Sequence, residues 1–217
     1  MRTPKLLVAL LAIGMAMTGC TAVTAAVPMK TIQPTPTRNA SKALDAVPLL
    51  SLLPTAATAS KGIGTSLTAS EKPDSATSNT AIPRPTDGLT RCELAFDRTG
   101  SAAFSGRAAV SFDGADIDGA KGHYTSSLYR FKSDSEAKAF IDEIGKVGEY
   151  CSAQQDSRFK AWDTGIPESV GVITTVGTTS YVAALRKGKI VAVGECPSEE
   201  SSTKMLQLQI RTLASIT

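Results

Sequence analysis

Residues 180–193 read SYVAALRKGKIVAV, and this stretch decides the fold class. Its two β-prone runs, residues 180–185 and 189–193, flank Arg-Lys-Gly, in which Gly188 can adopt the positive φ of a tight turn. The stretch therefore predicts an antiparallel β-hairpin. Residues 170–176 form another β-branched run and predict a further strand before the hairpin.

Upstream of the hairpin, the spacing of apolar residues predicts a helix over about residues 134–150. Its apolar face is formed at i, i+4, i+7 and i+11 by Phe140, Ile144, Val147 and Cys151. Residues 133–136, Ser-Asp-Ser-Glu, fit a capping box at the start of this helix. We expect the apolar face to pack on a sheet.

The remaining elements complete an α+β pattern. Three shorter β-prone runs precede the helix, at residues 92–96, 107–112 and 123–131. Residues 197–200, Pro-Ser-Glu-Glu, are typical of a helix start, and the apolar positions after them keep helical spacing at Leu206, Ile210 and Leu213. This order of elements predicts an α+β fold with a mainly antiparallel sheet packed against helices.

The first part of the domain is predicted to be helical and then irregular. Leu44, Val47 and Leu50 form a helical stripe, and Pro54 can open a second short helix. Between about residues 64 and 90 the chain is rich in Ser, Thr and Pro, which predicts a low-complexity surface loop. The whole domain is expected to cover residues 41–217.

The N-terminal residues predict secretion. Arg2 and Lys5 precede an uncharged apolar run, residues 6–17, which is the pattern of a signal peptide over residues 1–19. The run holds twelve residues, whereas a helix needs about 20 to cross a bilayer, so a transmembrane anchor is disfavoured. Residues 20–40 are small, polar and proline-containing, and they predict a flexible tether.

Residues 17–20, Met-Thr-Gly-Cys, resemble the bacterial lipobox, in which the cysteine receives a diacylglyceryl group and becomes the mature N-terminus. The lipobox usually has Leu, Val or Ile where Met17 stands. The resemblance implies that lipid on Cys20 holds the protein at the extracytoplasmic face of the cell membrane. The alternative is ordinary secretion, with cleavage within residues 23–26 and loss of Cys20.

Composition excludes several classes of function. The 217 residues carry 23 Lys and Arg against 20 Asp and Glu, and loss of Arg2 and Lys5 with the leader leaves 21 against 20. We therefore expect no electrostatic binding of nucleic acid. The single histidine, His123, excludes a two-histidine metal site and leaves little room for Ser/His or Cys/His catalysis.

Two local patterns resemble functional motifs without matching them fully. Asp113, Asp116 and Asp118 lie among glycines but miss the spacing of a calcium loop, and they suit a connection between strands. Ser201 begins one of several Ser-x-x-Lys matches, but the accompanying elements of penicillin-recognising enzymes are missing. With no Gly-rich phosphate loop either, we expect no enzyme and no cofactor.

The cysteines leave the disulfide pattern open. If Cys20 carries lipid, three cysteines remain in an oxidising compartment, namely Cys92, Cys151 and Cys196. They allow one bridge, and the residues alone permit all three pairings.

The domain resembles the extracellular sensor domain of the actinobacterial PknH-type serine/threonine kinases, a module that also occurs alone as secreted lipoproteins. The shared features are Leu-Leu-Ser-Leu-Leu-Pro at residues 49–54, a cysteine after a Pro-containing loop, an aromatic strand leading into a helix that ends in cysteine, and a closing hairpin followed by cysteine. They cover about residues 40–217.

This resemblance implies a disulfide between Cys92 and Cys151. A second bridge closes the hairpin in that family, but the matching position here falls near Ser180 or Tyr181. Cys196 is therefore expected to be a free, buried thiol, and a bridge between Cys151 and Cys196 is the alternative.

These features together predict a noncatalytic, lipid-anchored sensor or binding protein that recognises a small envelope ligand or wall component in a groove beside its sheet. The alternative is an interaction lipoprotein that docks on an envelope enzyme or membrane complex without a small ligand. Trp162, the lone tryptophan, is expected on a loop or strand edge, either lining a binding surface or packing in the core. An exposed apolar patch around it would favour protein docking over a ligand pocket.

Overall fold

The computed structural model describes residues 44–76, 104–116, 119–153, 155, 158–175 and 178–216. The strands are β1 (Leu67–Ala69), β2 (Asp74–Ala76), β3 (Gly106–Ala115), β4 (Lys121–Arg130), β5 (Phe159–Trp162), β6 (Ser169–Thr174), β7 (Ser180–Lys187) and β8 (Ile190–Cys196). The helices are α1 (Ala56–Ile63), α2 (Asp134–Ala153) and α3 (Glu199–Ala214), with a 3-10 helix at Leu49–Leu52. The α+β class expected from the sequence is confirmed.

The eight described strands form one antiparallel sheet in the order β1-β3-β4-β8-β7-β6-β5. β2 pairs with the same edge of β3 as β1 does, since Leu67 lies opposite Gly114 and Asp74 opposite Ala109. The two short strands therefore act as one interrupted edge strand. The predicted low-complexity loop at about residues 64–90 contains them, because backbone pairing with a free edge needs no apolar pattern.

The hairpin at residues 180–193 is confirmed as β7 and β8, and its turn is tighter than the sequence suggests. Lys187 pairs with Ile190, so the turn consists of Gly188 and Lys189. Gly188 has φ +58°, the left-handed conformation that favours glycine there. The other predicted strands are observed as β3, β4 and β6, while residues 92–96 lie outside the described residues.

Two long helices cover opposite faces of the sheet. α2 begins at the predicted capping box, where Glu136 N–H donates to Ser133 Oγ (3.2 Å) and Ser133 N–H donates to Glu136 Oε2 (3.3 Å). Its buried face contacts a cluster that includes Val191 of β8, whereas Met205 of α3 covers Gly194 of the same strand. Because side chains alternate along a strand, these two contacts lie on opposite faces.

The N-terminal part of the domain packs under the end of α3. Leu49 and Leu52 are buried in a cluster that includes Leu213, because a 3-10 helix has three residues per turn and places them on one side. Leu50, which the sequence pattern assigned to the buried stripe, is 44% exposed. Arg130 of β4 holds this segment by donating to the carbonyl oxygen of Leu44 (2.8 Å).

Several expectations concern residues outside the described part of the chain. These are the signal peptide, the tether, Cys20 and Cys92. Within the described ranges, no helix is both long enough and apolar enough to cross a membrane.

Candidate functional site

Trp162 lies on the edge strand β5, directly opposite Gly171 of β6. The same row of the sheet continues through Ala183 of β7 to Gly194 of β8. The three residues that follow Trp162 along this row are small, so the α3 face of the sheet is flat there. We call this flat part the floor. This floor leaves room for bulky groups to lie flat against the backbone.

Two different groups cover this floor. α3 packs on β7 and β8, where Met205 lies over Gly194. Further out, the indole of Trp162 lies over Gly171, and a Cβ atom at that position would stand only 2.6 Å from the indole Cε2 and Nε1 atoms. Only glycine at position 171 admits the ring in this position. Trp162 therefore covers the part of the sheet that α3 does not reach.

The surroundings of the indole are mainly apolar. Trp162 packs, together with Ile166 and Ile210, against a buried cluster formed by Ala183, Leu185 and Leu206. The ring of Tyr181 on β7 stands edge-on to the indole, with 6.3 Å between ring centroids and 77° between planes. Trp162 itself is only half-buried. Trp162 therefore packs on the core and also reaches the surface, and its place in a binding surface stays a prediction.

One polar atom at this position has no partner among the described residues. Trp162 Nε1 is buried, and none of those residues accepts a hydrogen bond from it. An indole N–H normally finds an acceptor when it is buried, since an unpaired donor loses its bond to water without replacement. In the part of the chain that the structure describes, Arg130 Nε and Gln209 Oε1 are buried without a partner as well.

The loop between β5 and β6 holds Ile166 beside the indole. Gly165 N–H donates to Asp163 Oδ1 (2.9 Å), and Ile166 N–H donates to Thr164 Oγ1 (3.2 Å). Ser169 Oγ donates to the carbonyl oxygen of Ile166 (2.6 Å) and is also bonded to Thr164 Oγ1. The loop beside the indole is therefore fixed by side-chain bonds to the turn.

The outer edge of β5 is partly occupied by α2. Ser152 Oγ of α2 accepts a hydrogen bond from Ala161 N–H (3.3 Å), a backbone group of the edge strand that faces away from β6. An unpaired edge is a template for adding a strand from another chain. Ser152 therefore occupies the position at which an added strand would bond to Ala161 N–H.

The other sequence candidates have structural partners. His123 and Asp113 form an exposed pair (2.9 Å), and Asp116 accepts from Ser198 Oγ (3.1 Å), while Asp118 lies outside the described residues. In the parts of the chain that the structure describes, no three His, Cys, Asp or Glu residues are grouped so that they could hold a metal ion.

Ser201 belongs to a helix cap. Its N–H donates to Ser198 Oγ (3.4 Å), and its hydroxyl accepts from Ser198 N–H (3.2 Å), which completes a capping box at the start of α3. Lys204, the lysine of the Ser-x-x-Lys match, is bonded to Glu200 (2.6 Å) and to the carbonyl oxygen of Ile63 (3.1 Å). The two side chains therefore serve packing and capping.

Cys196 is a buried free cysteine, as the sequence predicts. Burial raises the pKa of its thiol far above the ordinary value, so the thiol stays protonated and is a poor nucleophile. The alternative bridge between Cys151 and Cys196 is therefore wrong. Cys151 is buried on α2 and is not a free thiol. Because Cys92 lies outside the described residues, its pairing with Cys151 stays a prediction.

Tyr124 packs beside Cys196 in the same core cluster. Its hydroxyl donates to the carbonyl oxygen of Ala115 (2.9 Å). Burial first, and then the negative charge of Asp116, raise the pKa of Tyr124 to about 12. The Tyr124 hydroxyl therefore has a hydrogen-bond acceptor, in contrast to the indole N–H of Trp162.

No known family model matches the sequence. No curated protein matches it either. Among solved structures, the extracellular domain of PknH from Mycobacterium tuberculosis matches with a TM-score of 0.48 and 12% sequence identity, over 76% of this chain and 93% of that chain. The family resemblance drawn from the sequence therefore stays a prediction.

The sequence draws attention to Trp162 but does not predict that it lies opposite Gly171 on the neighbouring strand. The signal was a lone glycine inside the β-branched run Ser-Val-Gly-Val-Ile-Thr of β6, which indicates a close approach of another group. The identity of that group depends on register, which the sequence does not specify.

Proposed function

We propose that this protein is a noncatalytic, lipid-anchored extracytoplasmic binding protein that recognises a small envelope ligand or wall component on the Trp162 surface. This surface comprises Trp162, Tyr181, Ile166 and Ile210 on the α3 face of the outer strands. The observation that carries the proposal is that these four side chains are half-buried and pack together where the α3 face meets the surface. Ligand sites are mainly apolar and contain few polar groups, which fix the ligand.

The noncatalytic part of the proposal rests on how the reactive side chains are used. The Cys196 thiol is buried and protonated, and Ser201 caps a helix. His123 is exposed and paired with Asp113. Nucleophilic catalysis needs an activated nucleophile beside a base, and these three groups do not form that arrangement.

The choice between a small ligand and a docked protein rests on exposed apolar surface. Among the described residues, the exposed large hydrophobic side chain is Leu50, which lies on the 3-10 helix near the start of the domain. A protein-docking surface would be expected to expose a contiguous apolar patch. The half-buried Trp162 surface suits a small ligand better, and the interaction lipoprotein is the competing function.

Native mass spectrometry tests ligand binding. The protein is extracted gently from its own membranes, and its native and denatured masses are compared for the wild type and for Trp162→Ala. We expect a small noncovalent mass on the wild type that denaturation removes and that the variant lacks. A clean native mass, or a second protein on the chain, would overturn the small-ligand function.

A separate experiment tests the anchor. In fractionated cells, Cys20→Ala is expected to release the protein from membranes or to block its maturation, and the denatured mass of the wild type should include the lipid. The matched control is Cys196→Ala, which leaves Cys20 intact and should stay with the membrane. Unchanged membrane association of Cys20→Ala would refute lipidation, while leaving the ligand experiment to stand by itself.

A further inference from the structure

The start of the described fold is fastened to one end of the sheet. Arg130 donates to the carbonyl oxygen of Leu44 (2.8 Å), and Arg130 pairs with Ile190 in the last row of the sheet. Lys189, in the turn beside Ile190, forms an ion pair with Asp45 (3.0 Å). The predicted tether, which precedes Leu44 in the sequence, therefore joins the domain at the end that carries the β7–β8 turn. We call this the tether end.

The tether end exposes an apolar side chain. Leu49 lies over Gly106, the first residue of β3, and the next residue, Leu50, is the exposed large hydrophobic side chain of the described residues. Residues 46–60 around it carry no charge. An exposed leucine in an uncharged segment can enter the headgroup region of a bilayer, where lysines beside it strengthen binding to anionic lipid.

Two exposed lysines lie at the same end. Lys132 follows Phe131, whose N–H donates to the carbonyl oxygen of Lys189 in the turn (2.9 Å), and Lys187 pairs with Ile190 where the turn begins. Neither Lys132 nor Lys187 forms an ion pair within the described ranges. Their charges are therefore available to a partner outside the chain.

The acidic residues near the tether end are balanced locally. Asp134 and Glu136 lie in the first turn of α2, where the positive end of the helix dipole offsets part of their charge. The others are in ion pairs with the hairpin, Asp45 with Lys189 (3.0 Å) and Glu168 with Arg186 (3.8 Å). The unpaired charge at this end is therefore mainly positive.

The opposite end of the sheet carries unpaired carboxylates. Glu195 near the end of β8 and Glu199 in the first turn of α3 are exposed, and neither is in an ion pair with another described residue. An anionic surface repels this end and attracts the tether end. The domain is thus polarised along its strands.

We propose that the tether end lies against an anionic membrane surface, with Leu50 among the lipid headgroups and with Lys132 and Lys187 facing lipid phosphates. This inference rests on the proposed lipid on Cys20. A flexible chain over residues 21–43 has an r.m.s. span of roughly 25–30 Å, so the lipid holds the domain close to the bilayer. At this proximity, a contact too weak to bind the free protein still sets its orientation.

Quenching by brominated lipids measures which end meets the bilayer. The lipidated mature protein is reconstituted in phosphatidylcholine vesicles with and without phosphatidylglycerol. Leu50→Trp reports on the tether end, and His123→Trp, at an exposed position, reports on the opposite end. Each carries Trp162→Phe, so that a single indole emits. Circular dichroism checks the fold of each variant, and the denatured mass checks its lipid.

We expect Leu50→Trp to be quenched and blue-shifted on vesicles with phosphatidylglycerol, and His123→Trp to remain unquenched. Lys132→Gln or Lys187→Gln, added to the Leu50→Trp protein, should each lower the ratio of docked to free domain about fivefold, the effect of one lysine near such a surface. The matched control is Lys121→Gln, an exposed lysine at the opposite end, which should leave the ratio unchanged.

Hydrogen exchange of the wild type gives the same answer without a substitution. Residues 45–53 should exchange more slowly on vesicles with phosphatidylglycerol than on phosphatidylcholine alone, while residues 121–125 should not change. Equal quenching of the two reporters, quenching that ignores phosphatidylglycerol, or lysine variants that behave like Lys121→Gln would overturn the inference.

The outcome for the anchor is read separately, from the denatured mass. A lipidated protein whose two reporters behave alike would reject the membrane-facing end and leave the anchor in place. A protein without lipid would reject the anchor and this inference together. Ligand binding at the Trp162 surface is tested independently by the native mass.

Discussion

Two glycines on the same face of the sheet, Gly194 and Gly171, are covered in different ways. Gly194 lies under Met205 of α3, a buried side chain in a cluster whose polar members are bonded or protonated. Gly171 lies under Trp162, a half-buried ring whose N–H has no partner within the described ranges. The two covers differ in burial, because Met205 is fully buried and Trp162 is half-buried. Both sides hold an unpaired buried polar atom among the described residues, since Gln209 Oε1 of α3 also lacks a partner. The half-buried cover at Gly171 is where we propose that a ligand binds.

The largest effect is expected under α3. Met205→Ala should lower the free energy of unfolding by about 2–5 kcal/mol, because it removes a fully buried side chain and leaves a cavity. Urea unfolding at neutral pH, followed by circular dichroism, measures this. The control Met205→Leu keeps the volume and should lose under about 1.5 kcal/mol. A loss of less than about 1 kcal/mol in Met205→Ala would mean that the α3 side is not the tightly packed region.

A smaller effect separates the two glycines. Gly171→Ala should lower stability by about 1–3 kcal/mol and shift Trp162 emission to the red, because the new methyl group must displace a rigid ring at 2.6 Å. Gly194→Ala is the matched control, since its methyl group meets the flexible Met205 Cγ at 3.2 Å. It should lose less and leave the emission unchanged. Equal losses, with no spectral change, would remove the distinction between the two covers.

Trp162→Phe should cost only about 1 kcal/mol of stability. The smaller ring loses some packing, but the substitution also removes a buried donor that has no acceptor, which offsets part of that loss. Thermal unfolding of the ligand-free protein at pH 7 measures the change. A loss of about 3 kcal/mol or more would identify the indole as an ordinary core residue with a satisfied N–H.

The smallest effect at neutral pH concerns Tyr124, whose hydroxyl is hydrogen-bonded, unlike the indole N–H of Trp162. Its pKa is raised from 10.0 to about 12 in the folded state, so ionisation opposes folding. This contribution is constant below pH 10 and is lost as the pH rises from 10 toward 12. Stability measured between pH 8 and about pH 11 should therefore fall more in the wild type than in Tyr124→Phe. Parallel curves for the two proteins would contradict this assignment.

Local patterns were sufficient to predict most of the described elements. The capping box at Ser133 and the turn at Gly188 were visible because each depends on residues close in sequence. The apolar face of α2 followed from its period, and its residues are buried as expected. These signals are short-range, and tertiary contacts reinforce rather than override them.

Features set by long-range pairing were not predictable in the same way. β1 and β2 are only three residues long, too short to show an alternating apolar pattern, and pairing with the edge of β3 makes them strands. The Trp162 surface likewise depends on the register that brings Gly171 opposite the indole. A shift of one residue would place Trp162 on the other face of the sheet. Such features are decided by the whole fold.

The fluorescence of Trp162 tests the central claim most directly, because the chain has no other tryptophan. The protein purified gently from its own membranes is compared with the same sample after it has been unfolded in urea and refolded without added ligand. We predict that refolding without the ligand shifts the emission to the red and increases acrylamide quenching, while the circular dichroism spectrum is recovered. Identical emission and quenching in the two samples would contradict ligand binding at Trp162.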